Sequence, residues 1–171
     1  SYKLHAQQQC RYARARAGAP PNFHKRAVND RCVRGAPRTV IRNATLFDGE
    51  RILPHHDVFL SDGLIQFVEP TNLQVPVPRD TETDHIDAAG RWLTPGIIDL
   101  HTHLGVFGMP VLPTHMDGNS RQSPVRPMVR SIDGFNEHDL SLQSTLAGGI
   151  TTALVLPGSL NNIGGHAVPI K

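Results

Sequence analysis

The 171-residue sequence predicts an α/β fold with an all-β unit ahead of it. Three observations carry this reading. Residues 38–70 are rich in β-branched residues and contain an Asp62-Gly63 pair, a strong hairpin signal. Pro95-Gly96 then marks a change of style. Beyond it, two continuous apolar runs, "IIDLHTHL" and "ITTALVL", flank one helical pattern. Runs of that kind suit parallel strands buried on both faces, and strand, helix and strand make a βαβ unit.

Taken in order, residues 1–37 form a basic irregular arm in which "GAPPNF" and "RGAPR" break any helix. "RTVIRNATLF" reads as a strand, and "DVFLSDGLIQFVEP" as two strands of a hairpin. "TNLQVPVPRDTETD" is a Pro-rich polar linker, and "HIDAAGRWLTPG" gives a short strand, a turn at Gly90 and the break. This β-unit, residues 38–94, is too small to bury much surface alone. After the first apolar strand comes a long loop, roughly residues 104–135, whose length hints at function. Asn136 is the expected helix N-cap, with Asp139 at N3 and a Phe135–Leu140 staple. Gly148-Gly149 ends that helix. "LNNIGGH" is a second loop, and "AVPIK" a candidate third strand.

The net charge of +2 hides an asymmetry. Residues 1–38 hold nine of the 17 Lys and Arg against a single acid, Asp30; the rest carries eight bases and 14 acids. The basic head reads as a solvated extension, or as a contact for anionic partners such as nucleic acid, a membrane surface or the acidic body. Tyr2, Tyr12 and Phe23 are too sparse for a nucleic-acid stacking platform, so no specific nucleic-acid partner is expected. No apolar run approaches the roughly 18 residues of a membrane helix. The opening "SYKLHAQQQC" lacks a signal-peptide core, and a chain starting at Ser1 reads as processed or as a piece of a longer protein. Cys10 and Cys32 form one disulfide in an oxidising compartment or stay free thiols in a reducing one.

The chemistry concentrates at His101 and His103. Residues i and i+2 of a strand point to one face, with Cα atoms roughly 6.5 Å apart. Two imidazoles so placed can converge on one cation. Asp99 could steer an imidazole as an acceptor behind it, or pair instead with backbone or Arg.

The string "DAAGRWLTPGIIDLHTHLG", followed by "AGGITTALVLPGS", resembles the amidohydrolase superfamily. The resemblance covers residues 38–171. "GNSRQSPVRPMVRSIDGFN" and "PGSLNNIGGHAVPIK" are most similar to imidazolonepropionase-like and N-acetylglucosamine-phosphate deacetylase-like proteins. It implies an incomplete (β/α)8 metallo-hydrolase barrel over residues 95–171, preceded by part of a small β-sandwich. It implies that His101 and His103 bind one or two divalent ions, zinc foremost. Such ions lower the pKa of a bound water and polarise a carbonyl. The substrates are then small molecules with amide or cyclic amide bonds. The family's other ligands are a lysine or glutamate, two histidines and an aspartate that acts as base, on strands beyond this sequence. The only lysines are Lys3, Lys25 and Lys171, none placed to bridge two metals. No catalytic residue is therefore assigned within the chain, and the isolated chain is expected to be inactive. The alternative is a non-catalytic fragment or interaction module.

Further residues carry weaker signals. His115, Arg121, Arg126 and Arg130 lie on the first loop and His166 on the second, where they would contact substrate or simply be solvated. Gly164 and Gly165 allow close backbone approach. Asn43-Ala44-Thr45 fits the glycosylation pattern by chance or in a secretory compartment. His55-His56 reads as surface between strands.

Overall fold

A computed structural model describes residues 22–73, 77, 80, 82–116 and 118–171. Most of the basic arm, Cys10 included, lies outside the described residues. The chain divides into two compact units after Leu93.

The first unit is a five-stranded sheet. Its strands are β1 (Arg38–Phe47), β2 (Ile52–Ser61), β3 (Leu64–Pro70), β4 (Thr83–Asp87) and β5 (Trp92–Leu93). β1 runs antiparallel to β2 and parallel to β4 and β5. The β2–β3 hairpin turns at Asp62 and Gly63, both with positive φ, 56° and 69°. That is the turn whose twist matches paired strands. Val40, Ala44 and Val58 form the buried core.

β2 begins earlier than the sequence pattern suggested and takes in His55-His56. The pair therefore lies within a strand, where the β1–β2 register shifts. Asn43 (φ 52°) and His55 (φ 54°) form this irregularity, and Asn43 Oδ1 lies 2.9 Å from His55 Nδ1. The glycosylation tripeptide thus sits inside a paired strand with its asparagine already engaged. Asp57 organises the same place. It accepts hydrogen bonds from the Asn43 N–H (2.9 Å), the Thr71 hydroxyl (2.7 Å) and Arg42 Nη1 (2.8 Å). Burial pushes its carboxyl up, but Asn43, Thr71 and Arg42 together hold it below the ordinary carboxylate range. Cys32 has no disulfide partner among the described residues.

The second unit holds β6 (Ile97–Thr102), helix α1 (Leu140–Ala147), β7 (Ile150–Val155) and β8 (Val168–Ile170). β6 and β7 are parallel and joined through α1, as a βαβ unit requires. The third strand departs from expectation: β8 runs antiparallel to β7, so it is not a further parallel barrel strand. A direct return through loop 156–166 brings the chain back alongside β7 without a crossover helix. β6 was expected to be buried on both faces, yet Ile98 is 62% and Leu100 70% exposed. No element among the described residues covers them.

The helix also starts later than predicted. Asp139, not Asn136, is the N-cap. Its Oδ1 accepts from the Ser141 N–H at 2.9 Å and from the Ser141 hydroxyl, and its Oδ2 from the Met109 N–H at 2.9 Å. Asn136 instead closes its own turn, accepting from His138 N at 3.0 Å. An aspartate that caps and anchors a distant loop outcompetes an asparagine that can only cap.

The long loop is not structureless. It is stitched to the loop after β7 by backbone hydrogen bonds. These run from Arg126 N to Ile163 O (2.7 Å), His166 N to Val129 O (2.7 Å) and Ser131 N to His166 O (2.9 Å). Asn161 Nδ2 donates to Ser120 O and Ser123 O, both at 2.7 Å. Gly165 permits the closeness: its φ is +119°, and a Cβ there would stand 2.1 Å from Val129 O.

Candidate metal centre

β6 delivers the two histidines at its carboxyl end, where open and closed α/β sheets place their chemistry. His101 is exposed in the last residues of the strand, and half-buried His103 follows one residue past its end. Their ring centroids lie 5.7 Å apart with the planes at 88°.

His103 is held from three sides. Its Nδ1 lies 2.9 Å from the Leu156 carbonyl, at the end of β7. A carbonyl can only accept, so Nδ1 donates this bond, and Nε2 is the ring nitrogen left for another partner. Phe107 packs against the ring at 4.9 Å between centroids. The His103 carbonyl accepts from Val106 N (3.1 Å) and Phe107 N (2.9 Å), which closes a tight turn through Gly105 (φ 69°). The reason for this geometry lies in the parallel pairing: Leu156 N donates to Thr102 O at 2.8 Å, which brings the ends of β6 and β7 level.

His101 is freer. Its ring nitrogens meet no hydrogen-bond partner among the described residues. Asp99 takes the backbone option foreseen for it: its Oδ1 accepts from His101 N at 3.0 Å and so fixes the main chain rather than the ring.

Imidazole nitrogens are ligands that divalent ions such as zinc accept, and two are present here. Two imidazoles share one strand end, and a backbone carbonyl engages Nδ1 of one of them. They are not joined by a third donor: no group of three His, Cys, Asp or Glu gathers among the described residues.

Among the described residues, His166, Arg121, Arg126 and Arg130 make no hydrogen bond or ring contact with the pair. His166 lies exposed on the stitched loops, its backbone engaged with Val129 and Ser131. The His115 side chain lies outside what the structure describes. Arg126 donates to Gln122 Oε1 at 2.9 Å, and Arg121 is exposed. Arg130 makes a two-point ion pair with Asp133, at 2.5 and 2.9 Å, which holds the Asp133 carboxyl below its ordinary range.

Over 178 aligned residues the chain is 38% identical to the amidohydrolase tasK of Hapsidospora irregularis, a match covering 95% of this chain. The crystal structure of an amidohydrolase from Thermotoga maritima superposes on 78% of the chain with a TM-score of 0.64 and 35% identity. The chain belongs to the amidohydrolase superfamily. The imidazolonepropionase of Pseudomonas paraeruginosa is 41% identical over 66 residues, 38% of this chain. No family model matches the sequence. This amidohydrolase chain spans 18% of tasK, 15% of the imidazolonepropionase and 33% of the Thermotoga protein.

Two participants escaped sequence reasoning. The Leu156 carbonyl has no signature, because any residue supplies one. Ser131 sits in a polar loop like many serines, yet it is 3% exposed. Only the stitching of the two loops buries it.

Proposed function

We propose that this chain carries the first two metal ligands of a hydrolase acting on non-peptide carbon–nitrogen bonds, amide or cyclic amide. The observation that carries the reading is the His103–Leu156 hydrogen bond beside His101. It prepares one imidazole nitrogen as a donor and keeps the ring from turning away. Membership of the amidohydrolase superfamily supports the reaction class.

His101 and His103 would hold the ion, and Asp99 would keep the His101 backbone in place. A bound divalent ion, zinc foremost, supplies Lewis acidity toward a carbonyl and acidifies water. The chain's own residues bind and orient; among the described residues no third His, Cys, Asp or Glu gathers with the pair to serve as a base. We therefore propose no turnover by the 171-residue chain alone. Hydrolysis by the isolated chain that disappears in His101→Ala would overturn this point.

Calorimetric titration with Zn²⁺ tests the centre itself. One ion per chain is expected, with binding weakened at least tenfold in His103→Ala and in His101→Ala. Stoichiometric binding unchanged in both variants would sink the reading.

A further inference from the structure

The basic head joins the first unit at a sharp point in the sequence. Asn29 N donates to Asp62 O at 2.9 Å, and Asn29 Nδ2 to Gly63 O at 3.1 Å. Arg31 N and Cys32 N turn back onto Asn29, at 3.0 and 2.8 Å. The fit on the β2–β3 turn is close: a Cβ at Gly63 would stand 2.9 Å from Asn29 Cβ. Residues 22–28 have no such ties. Among the described residues, no hydrogen bond or ion pair joins them to the sheet, and the bond from Lys25 N to Asn22 O is internal to them.

Lys25-Arg26 lies in that untied stretch. It is the only adjacent pair of Lys or Arg residues in the 171-residue sequence. Lys25 and Ala27 are exposed, and the Arg26 backbone is extended, with φ −67° and ψ 135°. An extended peptide is the form that binding clefts take up by strand addition. The Arg26 guanidinium rests over the Phe23 ring, 4.1 Å from its centroid, and its Nε is buried with no hydrogen-bond partner among the described residues. An unpaired buried donor offsets the gain of the stack, so this latch is weak and opens without the sheet. The pair also divides the charge. Residues 1–26 hold six of the 17 Lys and Arg and no acid, so a cut after Arg26 turns the net charge of +2 into −4.

We infer that Lys25-Arg26 is a processing site for an endoprotease that reads paired basic residues. Water adds across the Arg26–Ala27 peptide bond; Arg26 leaves with the new carboxylate, and Ala27 keeps the new amine. Arg26 and Lys25 suit adjoining acidic pockets, and small Ala27 follows without obstruction. The product, residues 27–171, retains the Asn29 clamp and both units. It loses the cationic stretch that draws anionic partners. The inference is independent of the histidine pair.

The test uses the full chain and a kexin-type protease, followed by intact mass and amino-terminal sequencing. One early cut is expected, giving residues 27–171. Arg26→Gln should abolish it, and Lys25→Gln should slow it about tenfold or more. Phe23→Ala should speed it about two- to fivefold by freeing the guanidinium. Asp57→Asn, which weakens the sheet, should leave the rate unchanged, because the opening is local. The amides of Asn29 and Cys32 should stay protected in the product. The inference fails if the chain resists the protease, if another bond is cut first, or if Lys25→Gln is cut like wild type, the mark of a nick at a single arginine. It also fails if Phe23→Ala slows the cut, if Asp57→Asn accelerates it, which would put the site behind global unfolding, or if the product loses protection at Asn29.

Discussion

At the scale of single residues, aspartates do the most to hold this chain together. Asp57 is 4% exposed and accepts from three groups on two segments, Arg42 and Asn43 of β1 and Thr71 just after β3. Its carboxyl is held below its value in the unfolded chain, so the folded state resists protonation there. The stability it contributes is complete above about pH 4, the unfolded value, and is lost as pH falls through the lower folded value. Asp57→Asn should lower stability at pH 7 by about 1–3 kcal/mol and flatten the acid limb of a urea-midpoint-against-pH curve. An unchanged acid limb would show that Asp57 is not the group titrating. Asp139 has a parallel role in the second unit. Asp139→Ala removes the cap of α1 and the anchor of Met109, and should cost about 1–2 kcal/mol by urea denaturation. Asn136→Ala, by contrast, should cost only a few tenths of a kcal/mol, as expected for an exposed turn residue. These two residues show where local reading misleads. Both have cap chemistry, and only the distant Met109 N–H decides between them.

At the scale of elements, strands were easier to read than the helix start or the loops. β1 follows the β-branched run, and the hairpin follows Asp62-Gly63, because both signals are local. The partners of residues 118–131 were not legible, since a backbone hydrogen bond leaves no trace in residue type. The stitched loops depend on Gly165, where a side chain would meet the Val129 carbonyl under strain. Gly165→Ala should cost roughly 1–3 kcal/mol locally. Amide exchange at Arg126, Ser131 and His166 should accelerate, with β1 and β2 unaffected. Protection unchanged at those three amides would mean that the loops hold without this close approach.

At the scale of the molecule, the two units differ in how well they cover their apolar strands. In the first, β1 lies between β2 and β4 and buries Val40 and Ala44. In the second, β6 is an edge of its three-stranded sheet and exposes Ile97, Ile98 and Leu100. Burial is worth about 25 cal/mol per Å² of apolar surface, so β6 forgoes much of its stabilisation. Hydrogen exchange on the full chain should show β6 and β7 opening at lower free energy than β1 and β2. Equal protection in both sheets would contradict this. An unpaired apolar edge also promotes association, so light scattering should rise with concentration and fall when Leu100 is replaced by Lys.

The sequence by itself determined the superfamily, the strand that bears the two histidines and their common side. Those follow from residue identity and the two-residue period of a strand. Tertiary structure alone decided which His103 ring nitrogen is engaged, where the helix begins, that β8 runs antiparallel, and that the Ser131 hydroxyl is buried with no partner among the described residues. Apart from β8, whose register with β7 joins residues 13 to 17 positions apart, each of these depends on groups brought together from 30 or more positions away (Leu156 to His103, Asp139 to Met109, His166 to Ser131), and mostly on backbone atoms that every residue shares.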